Sequence, residues 1–286
     1  MADLHRKHRP RKRYGQHFLI NERIADRIVE SADIDSTHTV LEVGPGKGML
    51  TGRILSRARN VFAVEIDRDL AAVLRDRFRV NETFHLIEDD ILSLDLTDLF
   101  RDISPRVIVV SNIPYNISTP IIELLIRHKT VIARAVLMVQ REVAGRLLAE
   151  IGTKEYGLTT LNLRLYAQAR RVMDVKPGSF FPKPGVMSTV IAVEFSERCR
   201  YPLDNEQIFR TLTGVAFRQR RKMVRNTLIP YFTSNGLTNN QAASLLSDAG
   251  IDPQSRPERI DVGAFVAVSN AFAMACPAVP ERGGRK

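Results

Sequence analysis

The segment Thr39–Gly48 is the feature that most narrows the folds open to this chain. The segment begins with a predicted strand whose composition is typical of strands buried in a sheet. A turn with Gly44, Gly46 and Gly48 follows directly, and after it we expect a helix over Met49–Ala58. Glycines let the backbone approach a ligand closely, and a helix N-terminus offers free N–H groups. The glycine triplet is weak evidence by itself, because its spacing is not the G-x-G-x-x-G of dinucleotide binders.

Two further predicted strands deliver carboxylates to the same region. The strand Val61–Ile66 carries Glu65 about twenty residues after the glycine turn, where a nucleotide-type ligand needs an acceptor for its ribose hydroxyls. The next strand, Phe84–Ile87, is followed by the acidic run Glu88–Asp90. Because open α/β sheets bind ligands beyond the carboxyl ends of their strands, these strand ends predict one ligand site.

A polar motif, Asn-Ile-Pro-Tyr at positions 112 to 115, follows the apolar run Val107–Ser111. An exocyclic amine on a purine is a poor nucleophile because its lone pair is delocalised into the ring, so an enzyme that alkylates it must place acceptors against its N–H groups. The amide oxygen of Asn112 and the carbonyl of Ile113 or Pro114 are suitable acceptors, and the proline stiffens the turn. Tyr115 offers a flat face on which the base can stack. The alternative is an Asx-type turn that closes a strand.

Together, the glycine turn, the acid at position 65 and the Asn-Ile-Pro-Tyr motif resemble the S-adenosylmethionine-dependent methyltransferases that act on adenine N6. Strands and helices alternate to about residue 195, which is the pattern of a mostly parallel sheet, and from Tyr201 helices follow without strands. The proline-rich loop Gly178–Gly185 contains Phe180, either a core side chain or a second aromatic ring. We expect it opposite Tyr115, where the two rings would sandwich an extruded base.

The C-terminal helices carry a concentrated basic surface. We predict a single helix over Thr211–Leu228, in which four cations at spacing i, i+3, i+4 and i+7 share a face: Arg218, Arg221, Lys222 and Arg225. Like charges stacked in this way repel each other, so a binding partner explains them better than a role in stability. We expect them to bind RNA.

The net charge also favours a nucleic-acid partner. The chain has 286 residues, and 42 Lys and Arg against 32 Asp and Glu give it a formal net charge of +10. Basic composition is only suggestive, and the distribution of the charge matters more. The charged run His5–Arg13 cannot pack into a core; it is either a solvated tail or an arm that closes over cofactor and RNA.

Several classes of protein are excluded by the same reasoning. No apolar run reaches the roughly 18 residues needed to span a bilayer, and the basic N-terminus lacks the apolar region of a signal peptide. Cys199 and Cys276 lie far apart without a C-x-x-C partner, so neither a zinc cluster nor a disulfide framework is expected. These features predict a cytoplasmic protein that needs no metal.

Five segments, in the same order along the chain, resemble the KsgA/RsmA-type small-subunit (16S) rRNA adenine N6-dimethyltransferases. They are Gln16–Leu19, Glu42–Gly46, Asn112–Ser118, Phe180–Pro184 and Ala216–Lys222. The resemblance implies an α/β fold, with a Rossmann-like S-adenosylmethionine-dependent methyltransferase sheet and a small C-terminal all-helical domain. It divides the chain into a basic N-terminal arm at 1–20, a catalytic domain at 21–200, an RNA-binding helical domain at 201–276 and a disordered tail at 277–286.

The resemblance also implies an activity. A monomer would transfer methyl groups from S-adenosyl-L-methionine to N6 of two adjacent adenosines in the 3′-terminal hairpin of 16S rRNA, within a small ribosomal subunit precursor. The transfer would be in line to a flipped adenine, driven by positioning and electrostatics, and it would need no covalent nucleophile or metal.

Individual residues receive roles from the same resemblance. Seven residues would bind the cofactor: His17, Leu19, Gly44, Gly46, Glu65, Asp89 and Asn112. Glu65 would hold the ribose, Asp89 the adenine amino group, and Asn112 would lie beside the transferred methyl group. Four residues would form the catalytic set: Asn112, Pro114, Tyr115 and Phe180.

Some positions depart from the family pattern. Gly185 and Met187 stand where the family usually carries lysine and aspartate, and Asp90 stands where a small residue is commoner; these changes affect RNA placement rather than the chemistry. Two other functions are alternatives. A large-subunit (23S) methyltransferase of the erythromycin-resistance type is one of them, and Ala216–Lys222 favours the small-subunit branch over it. A non-catalytic ribosome assembly factor is the other, and it would not need a complete cofactor pocket.

Overall fold

The structure is a computed structural model that describes residue 11 and residues 15–276. Its strands are β1 (Phe18–Leu19), β2 (Thr39–Val43), β3 (Asn60–Val64), β4 (Phe84–Ile87), β5 (Val107–Asn112), β6 (Ile132–Gln140), β7 (Ala167–Val175), β8 (Phe180–Phe181) and β9 (Ser188–Phe195). The main sheet has seven strands in the order β4-β3-β2-β5-β6-β9-β7. A separate antiparallel pair joins β1 to β8.

Strand direction brings the predicted ligand residues to one edge of the main sheet. The strands β4, β3, β2, β5 and β6 run parallel, whereas β9 is antiparallel to both of its neighbours. The strand order reverses between β2 and β5, and a crevice outside the carboxyl ends of the strands at such a reversal is where open α/β sheets bind ligands. The predicted α/β class with a mostly parallel sheet is confirmed.

The helices alternate with strands in the earlier part of the chain, and after β9 the described residues form helices without further strands. They are α1 (Glu22–Ser31), α2 (Thr51–Leu55), α3 (Arg68–Arg77), α4 (Leu96–Phe100), α5 (Ser118–Arg127), α6 (Arg141–Leu147), α7 (Leu158–Tyr166), α8 (Glu206–Arg218), α9 (Leu228–Ser234), α10 (Asn239–Asp248) and α11 (Val262–Ala275). The helix α2 is shorter than the predicted Met49–Ala58, because the turn that contains the glycines extends to Leu50.

Burial and capping explain why these segments form. Every residue of β2 is buried, as are the first five of β5, and central strands of a covered parallel sheet are apolar in this way. At the start of α1 the Asn21 side chain accepts the N–H of Ile24, and at the start of α3 the Asp67 side chain accepts that of Asp69. Each such cap stabilises its helix by about 1 kcal/mol.

The chain divides into two compact units. The first contains the described residues up to Leu148 and those of 166–197, and the second contains 149–165 and the described residues from Arg198 onward. The insertion 149–165 lies inside the predicted catalytic range 21–200, yet it packs in the second unit. There the N–H of Gly152 donates to the Glu258 carbonyl at 2.7 Å and the Tyr156 hydroxyl donates to the Ile260 carbonyl at 3.1 Å.

The predicted single helix over Thr211–Leu228 is wrong. The helix α8 ends at Arg218, a 3₁₀ turn follows at Val224–Asn226, and α9 begins only at Leu228. Val224 is buried, and its N–H donates to the Ser255 carbonyl at 2.8 Å instead of continuing a helical ladder. The four predicted cations therefore do not share one helical face.

Two predicted segments fall outside the described residues. The basic run lies almost wholly in 1–10 and 12–14, and the predicted disordered tail is 277–286. Within 15–276 and at residue 11, no helix is long and apolar enough to cross a membrane. The same described residues contain no group of three or more His, Cys, Asp or Glu side chains that could hold a metal ion.

Candidate active site

A cavity of about 320 Å³ lies at the carboxyl edge of the main sheet, a volume typical of small-ligand pockets. The ends of β2, β3 and β5, the segment after β4 and the segment around β1 line it. Nine of the sequence-predicted residues are among its lining: His17, Leu19, Gly44, Gly46, Glu65, Asp89, Asn112, Pro114 and Tyr115. One edge of the sheet therefore unites residues from across the first half of the chain.

The turn after β2 requires glycine at Gly44 and Gly46. Their φ angles are +63° and +60°, a conformation that an L side chain rarely adopts. A Cβ on Gly46 would lie 3.1 Å from the ring of Phe18, and a Cβ on Gly44 would lie 3.5 Å from the ring of Pro114. The absence of side chains thus lets the turn pack between the segment around β1 and the Asn-Ile-Pro-Tyr motif.

Glu65 follows β3 and is held in place by backbone N–H groups. One carboxylate oxygen accepts the N–H of Gly46 at 3.1 Å, and the other accepts that of Asp67 at 2.9 Å. Burial raises the pKa of this carboxyl, while the backbone hydrogen bonds oppose the shift. The side chain is 4% exposed, so it keeps a defined orientation beside the glycine turn.

Glu42 is a second buried carboxyl, and the sequence reasoning gave it no role of its own. It lies within β2, is 1% exposed and accepts the hydroxyl hydrogen of Thr51 at 2.7 Å. Burial raises the pKa of Glu42 to about 8; the Thr51 bond lowers it and the charge of Glu65 raises it. The carboxyl is therefore mostly protonated at neutral pH. A glutamate inside an otherwise apolar strand was the sequence signal for it.

Asp67 ties the N-terminal segment to the sheet, and it too was missed. Arg11 pairs with Asp67 at 3.2 Å and with Asp69 at 2.5 Å, and the Gln16 amide donates to the other Asp67 oxygen at 3.0 Å. The Asp67 side chain is fully buried. Locally Asp67 is only the cap of α3, and its partners Gln16 and Arg11 lie 51 and 56 residues away in the chain, so the sequence does not reveal this link.

Asn112 ends β5, and His17 orients its amide. The amide Nδ2 donates to the His17 carbonyl at 3.0 Å. A carbonyl can only accept, so this bond identifies the NH₂ group and leaves Oδ1 as a hydrogen-bond acceptor at the cavity. In the same motif, the carbonyl of Pro114 accepts the N–H of Ile117 at 3.1 Å.

Two contacts hold the Tyr115 side chain in the same motif. Its centroid lies 5.1 Å from that of the His17 ring, at an interplanar angle of 34°. Its hydroxyl is hydrogen-bonded to the Ser188 hydroxyl at 2.7 Å, and burial raises the pKa of the Tyr115 hydroxyl. His17 in turn donates from Nδ1 to the Pro182 carbonyl at 2.7 Å. The motif is thereby linked to the segment around β8.

Phe180 does not line the cavity, which corrects the predicted sandwich with Tyr115. Its ring is 3% exposed and belongs to an apolar cluster that also contains Leu19. The pairing of β8 with β1 sets Phe180 opposite Leu19, and side chains alternate in direction along a strand. The next residue, Phe181, is consequently the outward one and is 58% exposed.

The predicted RNA-binding cations all lie in the second unit and are exposed: Arg218, Arg221, Lys222 and Arg225. Arg220, within the same run, is different. It donates to the carbonyls of Thr153, at 2.9 Å, and of Lys154, and it pairs with Glu258. One cation of the run is thus structural, and the other four are available to a ligand.

Comparison with known proteins agrees with this geometry. The family model for ribosomal RNA adenine dimethylase matches residues 7–273. A ribosomal RNA small subunit methyltransferase A from Syntrophotalea carbinolica is 40% identical over 258 residues, which are 90% of this chain and 95% of that protein. The protein of the same name from Geobacter metallireducens is 39% identical over 265 residues, or 92% of this chain and 96% of the relative.

Solved structures show the same architecture. A dimethyladenosine transferase from Plasmodium falciparum has a TM-score of 0.75 at 27% identity, covering 88% of this chain and 96% of that one. The 23S rRNA methyltransferase ErmE shares the fold, with a TM-score of 0.67 at 22% identity over 89% of this chain and 99% of that one. The chain therefore belongs to the ribosomal RNA adenine dimethylase family, and it is a methyltransferase with a Rossmann-like fold.

Proposed function

We propose that this protein dimethylates N6 of two adjacent adenosines in the 3′-terminal hairpin of 16S rRNA, with S-adenosyl-L-methionine as the methyl donor. It acts as a monomer on a precursor of the small ribosomal subunit in the cytoplasm. The observation that carries the proposal is that one cavity unites the glycine turn and Glu65 with Asn112 and Tyr115. The small-subunit substrate follows from the names of the relatives at 39–40% identity.

The residues around the glycine turn fit the cofactor. When bound, S-adenosyl-L-methionine supplies an electrophilic methyl group on a sulfonium. Glu65 already accepts two backbone N–H groups, and each of its oxygens has a further lone pair for a ribose hydroxyl. Asp89 is an exposed carboxylate after β4 that lines the cavity and is suited to accept from an adenine amino group. Gly44 and Gly46 adopt the left-handed conformations, with φ of +63° and +60°, that form the turn at the cavity wall.

The end of β5 fits the target amine. Oδ1 of Asn112 is an oriented acceptor, because His17 holds the other end of the amide. The Pro114 carbonyl already accepts the N–H of Ile117, so we assign the second acceptor to the carbonyl of Ile113. As the attacking nitrogen forms its bond to carbon it gains positive charge, and fixed acceptors stabilise that charge without reorganising. The proton then leaves to solvent.

Capture of the base rests mainly on Tyr115. Flipping a base out of its stack costs a few kcal/mol, and stacking on one aromatic ring returns about 1–3 kcal/mol. Phe180 is buried in the core and does not offer a second ring at the cavity in this structure. The rest of the cost falls on contacts outside the cavity, including the exposed cations Arg218, Arg221, Lys222 and Arg225.

Methyl transfer to purified ribosomal subunits tests the proposal. The protein is incubated with labelled S-adenosyl-L-methionine and with under-methylated small or large subunits, and the modified nucleosides are then identified. We expect label in N6,N6-dimethyladenosine from the small subunit only. Label in the large subunit would identify a 23S enzyme, and binding to small subunits without any label would identify a non-catalytic assembly factor.

A further inference from the structure

Apolar side chains are exposed at the end of β8 and in the loop that leads to β9. Phe181 is 58% exposed and Val186 is 48% exposed, whereas Phe180, the neighbour of Phe181 in β8, is 3% exposed. Single exposed apolar residues are common on protein surfaces and need no explanation by themselves. What distinguishes Phe181 is its position and the two cations on or beside the segment that follows it.

Phe181 is directly connected to the residues that line the cavity. It pairs with Phe18 across the β1–β8 ladder, and Phe18 lines the cavity. The carbonyl of the next residue, Pro182, accepts a hydrogen bond from His17, whose ring contacts that of Tyr115. The segment that carries the exposed ring of Phe181 is therefore linked to Tyr115 through Pro182 and His17.

Two cations lie on or beside the segment that follows Phe181. Lys183 and Arg141 are both exposed, and Arg141 is attached to the loop because its N–H donates to the Met187 carbonyl at 2.9 Å. Residues 181–187 contain no acidic side chain. Among the described residues, no carboxylate forms a salt bridge with Lys183 or Arg141, and the Arg141 guanidinium donates a weak hydrogen bond to the Met187 sulfur at 3.6 Å. Both positive charges are therefore available to an anionic partner.

We propose that Phe181, Lys183 and Arg141 form a docking surface for single-stranded RNA beside the extruded adenosine. Phe181 stacks on the base of a neighbouring nucleotide, and the two cations contact the phosphates on either side of it. An aromatic ring with flanking cations is the combination that holds single strands, since every base has a π-face and every linkage a charge. The inference rests on the proposed function and adds to it the residues that hold the flanking nucleotide.

Phe181→Ala and Lys183→Ala test the two parts of this surface separately. RNA affinity is measured from 50 to 250 mM salt with an under-methylated small subunit, next to wild type and Val80→Ala, an exposed apolar control outside the cavity. We expect Phe181→Ala to weaken binding about 5- to 100-fold with an unchanged salt slope, and Phe181→Trp to restore it. Lys183→Ala should instead lower the slope by about 0.7–0.9 log units.

A crosslinking experiment identifies the partner. A photoreactive benzoyl-phenylalanine at position 181 should crosslink to rRNA within a few nucleotides of the methylated adenosines. Crosslinks only to ribosomal protein, or a Phe181→Ala variant that binds like Val80→Ala, would overturn the inference. Methylation of the same subunits by the wild-type protein distinguishes failure of this inference from failure of the proposed function. If wild type methylates them and Phe181→Ala binds RNA normally, only the docking surface is refuted. If wild type does not methylate them, the proposed function is refuted. Thermal melts and S-adenosyl-L-methionine binding confirm that each variant is folded.

Discussion

The carboxyl edge of the main sheet and the segment from Arg218 to Arg225 both carry ionisable groups, but two carboxyls of the sheet edge are buried and most cations of the basic segment are exposed. At the sheet edge Glu42 and Glu65 are 1% and 4% exposed, and each is held by hydrogen bonds from named partners. In the basic segment the side chains of Arg221 and its neighbours are exposed, and only Arg220 is tied down by carbonyls and a carboxylate.

This difference in burial suits the two regions to different functions. Buried, oriented groups act at hydrogen-bond distance, and salt screens them only weakly. They are therefore suited to bind a reacting nitrogen or a ribose hydroxyl. Exposed cations act through a field that salt screens within about 8–10 Å, and their contributions add up. We therefore expect the sheet edge to determine the chemical step and the basic segment to determine how tightly RNA is held.

The largest expected effect is on the rate of methyl transfer. Asn112→Ala removes the oriented acceptor, and by analogy with the loss of one preorganised hydrogen-bonding group the single-turnover rate should fall about 10²–10³-fold. RNA and cofactor affinity should change far less. The exposed amide of Asn81 offers a matched control, because Asn81→Ala removes the same group away from the cavity. A folded Asn112→Ala that reacts as fast as Asn81→Ala would make the motif a structural turn.

The next effect concerns cofactor binding. Replacing Glu65 by Ala removes charge-assisted hydrogen bonds worth about 1.5–3 kcal/mol, so S-adenosyl-L-methionine should bind about 10- to 150-fold more weakly while RNA affinity is retained. Calorimetry measures both. Glu88→Ala, at the end of the neighbouring strand and outside the cavity lining, is the control. Equal cofactor affinity in the two variants would remove Glu65 from the site.

A smaller effect concerns stability and pH at Glu42. Its pKa is about 8 in the folded protein against 4.5 for the free group, so the folded state binds the extra proton between these values. Its stabilising contribution is complete below pH 4.5 and is lost as pH rises through 8. Wild type should lose about 3 kcal/mol, or several degrees of Tm, relative to Glu42→Gln between pH 5 and 8. Thermal melts check this, with Glu194→Gln on an exposed strand position as control; parallel pH profiles would contradict it.

The smallest effect is that of one exposed cation. Arg221→Ala should weaken RNA binding only about fivefold at 0.15 M salt and reduce the salt slope by about 0.7–0.9 log units. Arg220→Ala should differ, because it breaks contacts with Thr153 and Glu258 and so lowers Tm. Filter binding over a salt series, with melts alongside, distinguishes them. If Arg220→Ala changed only the slope, the division of this run into structural and binding cations would be wrong.

The residues at the strand ends could be predicted because the signal is local. A buried strand followed at once by glycine or a polar side chain marks a carboxyl end, and parallel strands bring such ends together. Glu65, Asp89 and Asn112 each follow from this rule, and all three line the cavity. Glu42 obeys a related rule, since a charged residue within an apolar strand needs a hydrogen-bond partner when buried.

The remaining features depend on partners that are distant in sequence. Phe180 and Phe181 differ because β8 pairs with β1, more than 160 residues earlier, and pairing decides which ring faces the core. The predicted helix does not run through Val224, because the N–H of Val224 donates to the Ser255 carbonyl. The edge strand β7 is hard to recognise because it carries two consecutive arginines, Arg170 and Arg171.

One measurement tests the separation of chemistry from binding most directly. Single-turnover methylation is followed over a range of small-subunit concentrations at saturating S-adenosyl-L-methionine, for Asn112→Ala and for a variant with Arg218, Arg221, Lys222 and Arg225 all replaced by alanine. Asn112→Ala should reach a maximal rate about 10²–10³-fold below wild type at an unchanged half-saturating concentration. The four-cation variant should reach nearly the wild-type maximal rate, but only at much higher subunit concentration. A lowered maximal rate in the four-cation variant, or an unchanged one in Asn112→Ala, would contradict this assignment.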